Sequence, residues 1–107
     1  MGRGEMTTSP DSIRKRYVVD NPEGLDLAFD GRLLLSERHH DTGRVDIYET
    51  ASGRFVLRQR RSSRPGIVVV DRVEVGDDLQ TMLSHLSPSP GRSIIMRLLG
   101  LKSEIEI

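Results

Sequence analysis

From Leu25 to Val75 the chain is dominated by short apolar-alternating runs separated by loops that carry glycine. Only an extended backbone sends successive side chains to opposite faces, so this pattern selects strands joined by tight connections over long helices. Leu25-Asp26-Leu27-Ala28-Phe29 alternates, and Asp30-Gly31 reads as a turn. Arg32 to Arg38 follows as a strand with Leu33-Leu34-Leu35 at its centre. The loop His39-His40-Asp41-Thr42-Gly43 returns it into Arg44–Thr50, and Ala51-Ser52-Gly53 leads into Arg54–Arg61. In both loops the glycine stands just before the next strand, where a positive φ is usually required. Ile67-Val68-Val69-Val70, continuing to Val75, is the most β-prone segment and reads as a central or well-covered strand.

The ends of this core are less regular. Residues 1–12 have almost nothing to bury and read as a disordered lead-in, leaving 13–107 as one small domain. Ile13 to Val19 forms a short basic strand closed by the turn Asn21-Pro22-Glu23-Gly24. After Gly76 the period changes. Asp77 or Asp78 caps a helix carrying Leu79, Met82, Leu83 and Leu86, which Ser87-Pro88-Ser89-Pro90-Gly91 terminates. A second helix spans Ser93 to Leu99 and stops at Gly100, and Ser103-Glu104-Ile105-Glu106-Ile107 alternates like a last strand. The expected fold class is α+β, an antiparallel β-meander of four to five strands packed by one or two C-terminal helices.

Composition narrows the chemistry. The 16 Lys+Arg balance 16 Asp+Glu, which argues against a globally basic nucleic-acid coat. With no cysteine, a disulfide framework, a thiolate zinc site and a Cys nucleophile are excluded. Twelve Leu, nine Val and seven Ile against two Phe and two Tyr predict an aliphatic core. No apolar run approaches the roughly 18 residues that span a bilayer, and Met1–Pro10 lacks a secretory apolar stretch, which favours the cytoplasm. Arginine outnumbers lysine 14 to 2, a bias typical of GC-rich coding.

The stretch FDGRLLLSERHHDTGRVDIYETASGRFVL (29–57) and the closing SEIEI (103–107) distantly resemble a family of small bacterial proteins named for a C-terminal E-x-L-D-I signature. Ile107 matches that signature, Ile105 and Glu106 replace Leu and Asp conservatively, and Ser103 departs from its Glu. The resemblance implies a bacterial origin and no defined activity.

The densest chemistry is Arg54, Arg58, Arg60, Arg61 and Arg64, five cations in eleven residues with no acid. On a strand, Arg54, Val56, Arg58 and Arg60 share one face, and Phe55 and Leu57 the other. Those arginines either grip phosphates, as a nucleic-acid-associated regulator would, or form a solvated face paired with Asp46 and Glu37. Arg14-Lys15-Arg16 could lie nearby. Adjacent histidines on an extended chain point apart, so His39-His40 reads as loop decoration, and His85 has no partner at ligand spacing. Nothing in the chain forms a G-x-S-x-G elbow or a phosphate loop, so no catalytic residue, metal or cofactor is expected.

The second helix is more apolar than one narrow stripe needs. Ile94, Ile95, Leu98 and Leu99, with Ile105 and Ile107 of the tail, are therefore candidates for contact with a protein partner or a second subunit. The tail could equally complete the domain's own sheet. The leading expectation is a non-catalytic interaction or regulatory module, with nucleic-acid binding second.

Overall fold

The computed structural model describes residues 14–102. Five strands, β1 (Lys15–Val19), β2 (Leu27–His39), β3 (Gly43–Thr50), β4 (Phe55–Arg64) and β5 (Ile67–Gly76), are followed by α1 (Leu79–Ser84) and α2 (Pro90–Leu98). The strands form one antiparallel sheet in sequence order, the meander that the glycine-bearing loops imply. The fold is α+β. The lead-in 1–12 and the tail strand through Ile105 and Ile107 lie outside the described residues.

One face of the sheet carries the helices. Val45, Ile47 and Leu57 are in register there and fully or almost fully buried, with Leu35 beside them. Met82, Leu83 and Leu86 from the first helical segment and Ile95 and Met96 from α2 close over them. This core is aliphatic apart from methionine and the flanking Phe55, as the composition requires. Each such buried side chain contributes about 1.5–3 kcal/mol relative to exposure, which orients the sheet.

The caps explain where the helices begin. Asp78 accepts from the Gln80 amide at 3.2 Å and from the Thr81 hydroxyl at 2.6 Å. Ser89 accepts from the Arg92 amide at 3.2 Å, with Pro90 in the first turn. The segment expected to be a terminator is thus half terminator and half start. Proline lacks the amide that a first-turn residue leaves unused, so α2 opens at Pro90 rather than Ser93. Gly100, at φ 74°, stops it.

Three other expectations need correction. Asp30-Gly31 is not a turn: β2 runs straight through it, and Gly31 pairs with both Lys15 and Thr50. A Cβ at Gly31 would run into the Glu49 carbonyl, so the glycine there serves close strand approach. The turn signal Ser62–Gly66 shrinks to Pro65-Gly66, because β4 continues to Arg64 through two register irregularities. Lastly, β5 is an edge strand, with Ile67, Val68 and Val69 exposed. β-branched side chains fit a pleated strand whether or not anything covers it, so their density reports extension and not position.

The face away from the helices is not flat. Asp20, immediately after β1, reaches Arg58 on β4, three strands away, at 2.9 Å. In a flat sheet those strands would lie about 14 Å apart, so the sheet curls toward this face. Tyr17, Phe29 and Tyr48 cluster on it, with ring centroids 4.9–5.9 Å apart. Burial pushes the Tyr48 hydroxyl pKa above its ordinary value.

Candidate functional site

Register decides what the arginines can do. On β4, Val56, Arg58 and Arg60 lie opposite Tyr48, Asp46 and Arg44 of β3, on the curled face, while Leu57 opposes Ile47 in the core. The alternation read from sequence therefore holds, but the face is not uniformly solvated. The Arg58 side chain is 7 % exposed. Its guanidinium forks onto Asp20 at 2.9 and 3.2 Å, pairs with Asp71, and donates to the carbonyls of Gln59 and Arg72 at 3.1 and 3.3 Å. Every strong direction of this cation is satisfied within the protein, so it is unavailable to a ligand. Hydrogen bonding to Arg58 holds the Asp20 carboxyl down at about 2.

The other members of the expected cluster separate. Arg54 binds Asp77 at 3.0 Å beyond the far end of β4. Arg64 sits at the β4–β5 turn opposite Ile67. Arg60 is exposed and shares Asp20 with Arg58, at 2.8 Å. Arg16 pairs with Asp30, and Lys15 lies over the Tyr17 ring, so the basic triplet of β1 does not join Arg58. The expected partners Asp46 and Glu37 are engaged elsewhere: Asp46 by Arg44 and the Ser36 hydroxyl, Glu37 by His39 at 3.1 Å.

Pairing instead assembles a different set. Arg38 on β2 lies directly opposite Arg44 on β3, and Arg44 directly opposite Arg60 on β4. These three arginines form a row across three neighbouring strands at one end of the sheet. With Arg61, His39 and His40 they line an open depression of roughly 380 Å³. Among the described residues, no carboxylate, no aliphatic and no Phe, Tyr or Trp side chain contributes to that lining. Arg38 and Arg44 were unremarked as sequence because nothing local distinguishes them. They flank the loop 39–43 symmetrically, and a hairpin closed by Gly43 must bring such positions opposite each other.

His39 and His40 belong to that rim, and His85 binds Glu74 at 2.8 Å on the helix side. Among the described residues, no group of three or more His, Asp or Glu side chains is placed to hold a metal ion. The loop between β2 and β3 has a structural role as well. Asp41 accepts the Gly91 amide of α2 at 3.0 Å, and that bond leads the effects that lower its pKa.

The apolar contact candidates also divide. Ile95 is fully buried, and Leu99 packs against the core, so neither presents a contact surface. They are consumed by the narrow space between α2 and the sheet. Ile94 is half-buried, and Leu98 is 59 % exposed. Ile105 and Ile107 lie outside the described residues. The apolar surface that sequence reasoning missed is the free edge of β5, where Ile67, Val68 and Val69 are 47, 58 and 48 % exposed. No helix among the described residues is long and apolar enough to cross a membrane. No family model, curated protein or solved structure matches the chain.

Proposed function

We propose that the chain is a non-catalytic protein-interaction module of the bacterial cytoplasm, which pairs with a second copy of itself along the free edge of β5. The observation carrying this reading is the contrast between the two sheet edges. β1 is five residues long and carries Lys15 and Arg16, the kind of charge that blunts an edge. β5 is ten residues long, and its first four, Ile67 to Val70, are all β-branched and uncharged. An edge of that composition is a template for strand addition.

A second copy of the chain brings the same edge in a self-complementary register. Antiparallel pairing about a two-fold axis at Val70 sets Ile67 opposite Val73, Val68 opposite Arg72 and Val69 opposite Asp71. No like charges meet in that register, whereas centring on Asp71 or Arg72 would oppose like charges.

Sedimentation equilibrium tests this reading. The average mass should rise from monomer toward dimer between low and high micromolar concentrations. Val68→Lys, which sets a cation opposite Arg72 in that register, should hold it at monomer while changing stability by no more than about 0.5 kcal/mol, since the side chain is 58 % exposed. Leu98→Asp, on the exposed side of α2, should leave the association intact. Association lost in Leu98→Asp but kept in Val68→Lys would move the contact to α2 and overturn the edge reading.

A further inference from the structure

We propose that the row Arg38–Arg44–Arg60, with Arg61 on the rim of the same depression, binds the phosphodiester backbone of double-stranded nucleic acid. The row is costly to build. Like charges directly opposite in a sheet destabilise it, and here two such pairs are consecutive across three strands. The fold offsets part of the repulsion. Asp46 holds Arg44 at 3.1 Å, and Asp20 holds Arg60 at 2.8 Å. Arg38 and Arg61 make no ion pair among the described residues, so the depression keeps unneutralised positive charge.

The lining selects among anions. Three strands about 4.8 Å apart spread the guanidinium stems over about 10 Å, enough to address successive phosphates. Arginine's planar fork pairs bidentately with phosphate oxygens. The lining holds no Phe, Tyr or Trp, and its two histidines are consecutive and point apart, so it builds no continuous stacking platform of the kind single strands use. The absence of apolar side chains there removes the wedge that an interfacial membrane contact needs. The depression is half-open, and a small phosphorylated metabolite would remain largely solvated in it. A duplex backbone suits an open basic row. The row lies on β2, β3 and β4, and self-association uses the outer, unpaired side of β5, so failure to bind duplex would leave the self-association reading standing.

Fluorescence anisotropy of a labelled duplex of about 20 base pairs, titrated at about 50 and 200 mM salt, tests the proposal. Three to four phosphate contacts predict a roughly 40- to 150-fold loss of affinity between those conditions. Arg38→Glu/Arg61→Glu should abolish most binding at low salt, and Arg38→Gln/Arg61→Gln should reduce the salt slope by about two. Both pairs carry their changes at groups without ion-pair partners among the described residues, and removing Arg38 relieves its repulsion with Arg44, so circular dichroism melts should show no loss of stability against the parent. Arg97→Glu, an exposed arginine at the end of α2, makes the same net charge change as the Gln pair but away from the row, and should leave affinity within about twofold. No binding at low salt, equal losses in Arg97→Glu, or binding to vesicles containing phosphatidylserine without binding to duplex would each overturn the proposal.

Discussion

Arg58→Glu should lower the unfolding midpoint in urea by about 1–3 M, by far the largest effect of any arginine replacement in β4. The substitution removes the cation to which Asp20 and Asp71 are bound and leaves a third carboxylate in a nearly closed site. Breaking a buried pair from one side costs about 3–5 kcal/mol, against a total stability of roughly 5–15 kcal/mol for a chain of this size. Arg58→Met should fall between parent and Glu variant, because Asp20 is largely exposed and recovers hydration when its partner goes. Acid supplies a second readout. The folded pKa of Asp20, about 2, lies below its ordinary 3.8, so its contribution is fully present above pH 4 and fades as the pH falls toward 2. That part of the acid dependence should flatten in Arg58→Met. A Glu variant as stable as the parent would mean that Arg58 is not held as described.

That result would also mark how far sequence reasoning reaches. The strands on either side of Gly43 and Gly53 were legible because alternation and turn chemistry act over a few residues. The observed β3 and β4 begin within one residue of the expected ones. Arg58 was legible as a residue on the right face, yet not as a buried one. Its burial depends on Asp20, 38 residues away, which the curl of the sheet brings over β4. Neither partner carries a local signal of the other. The arginine row is intermediate: Arg38 and Arg44 are fixed opposite each other by one hairpin and Arg44 and Arg60 by the next. Counting outward from the two loops would have found it, whereas counting charge along β4 pointed to Arg54 and Arg64, which leave the cluster. The position of β5 was not legible, because edge and centre differ in what lies alongside and not in backbone propensity.

Gly43 joins the fold to that row, and its replacement separates two costs that glycine positions usually mix. Gly43 and Gly53 both sit in hairpin loops with positive φ, 72° and 85°. Any L-residue there meets a left-handed backbone penalty of about 1–2 kcal/mol. Around Gly53 nothing lies within 4 Å of a built Cβ, so Gly53→Ala should cost that penalty alone. At Gly43 the same methyl would press on the Arg60 carbonyl and come within 2.7 Å of the Arg61 Cα. Backbone cannot turn aside as a side-chain tip can, so about 1–3 kcal/mol of overpacking adds to the penalty. Gly43→Ala is therefore expected to destabilise by about 2–5 kcal/mol and Gly53→Ala by about 1–2 kcal/mol, compared in parallel urea melts. The strain at Gly43 can relax only by moving β4 away at Arg60 and Arg61, which widens the spacing of the row. Gly43→Ala, kept folded by working well below its midpoint, should then bind duplex more weakly than Gly53→Ala does. Equal melts for the two variants would show that the β3–β4 approach yields freely, and the row would lose the rigid spacing on which its fit to a phosphate backbone depends.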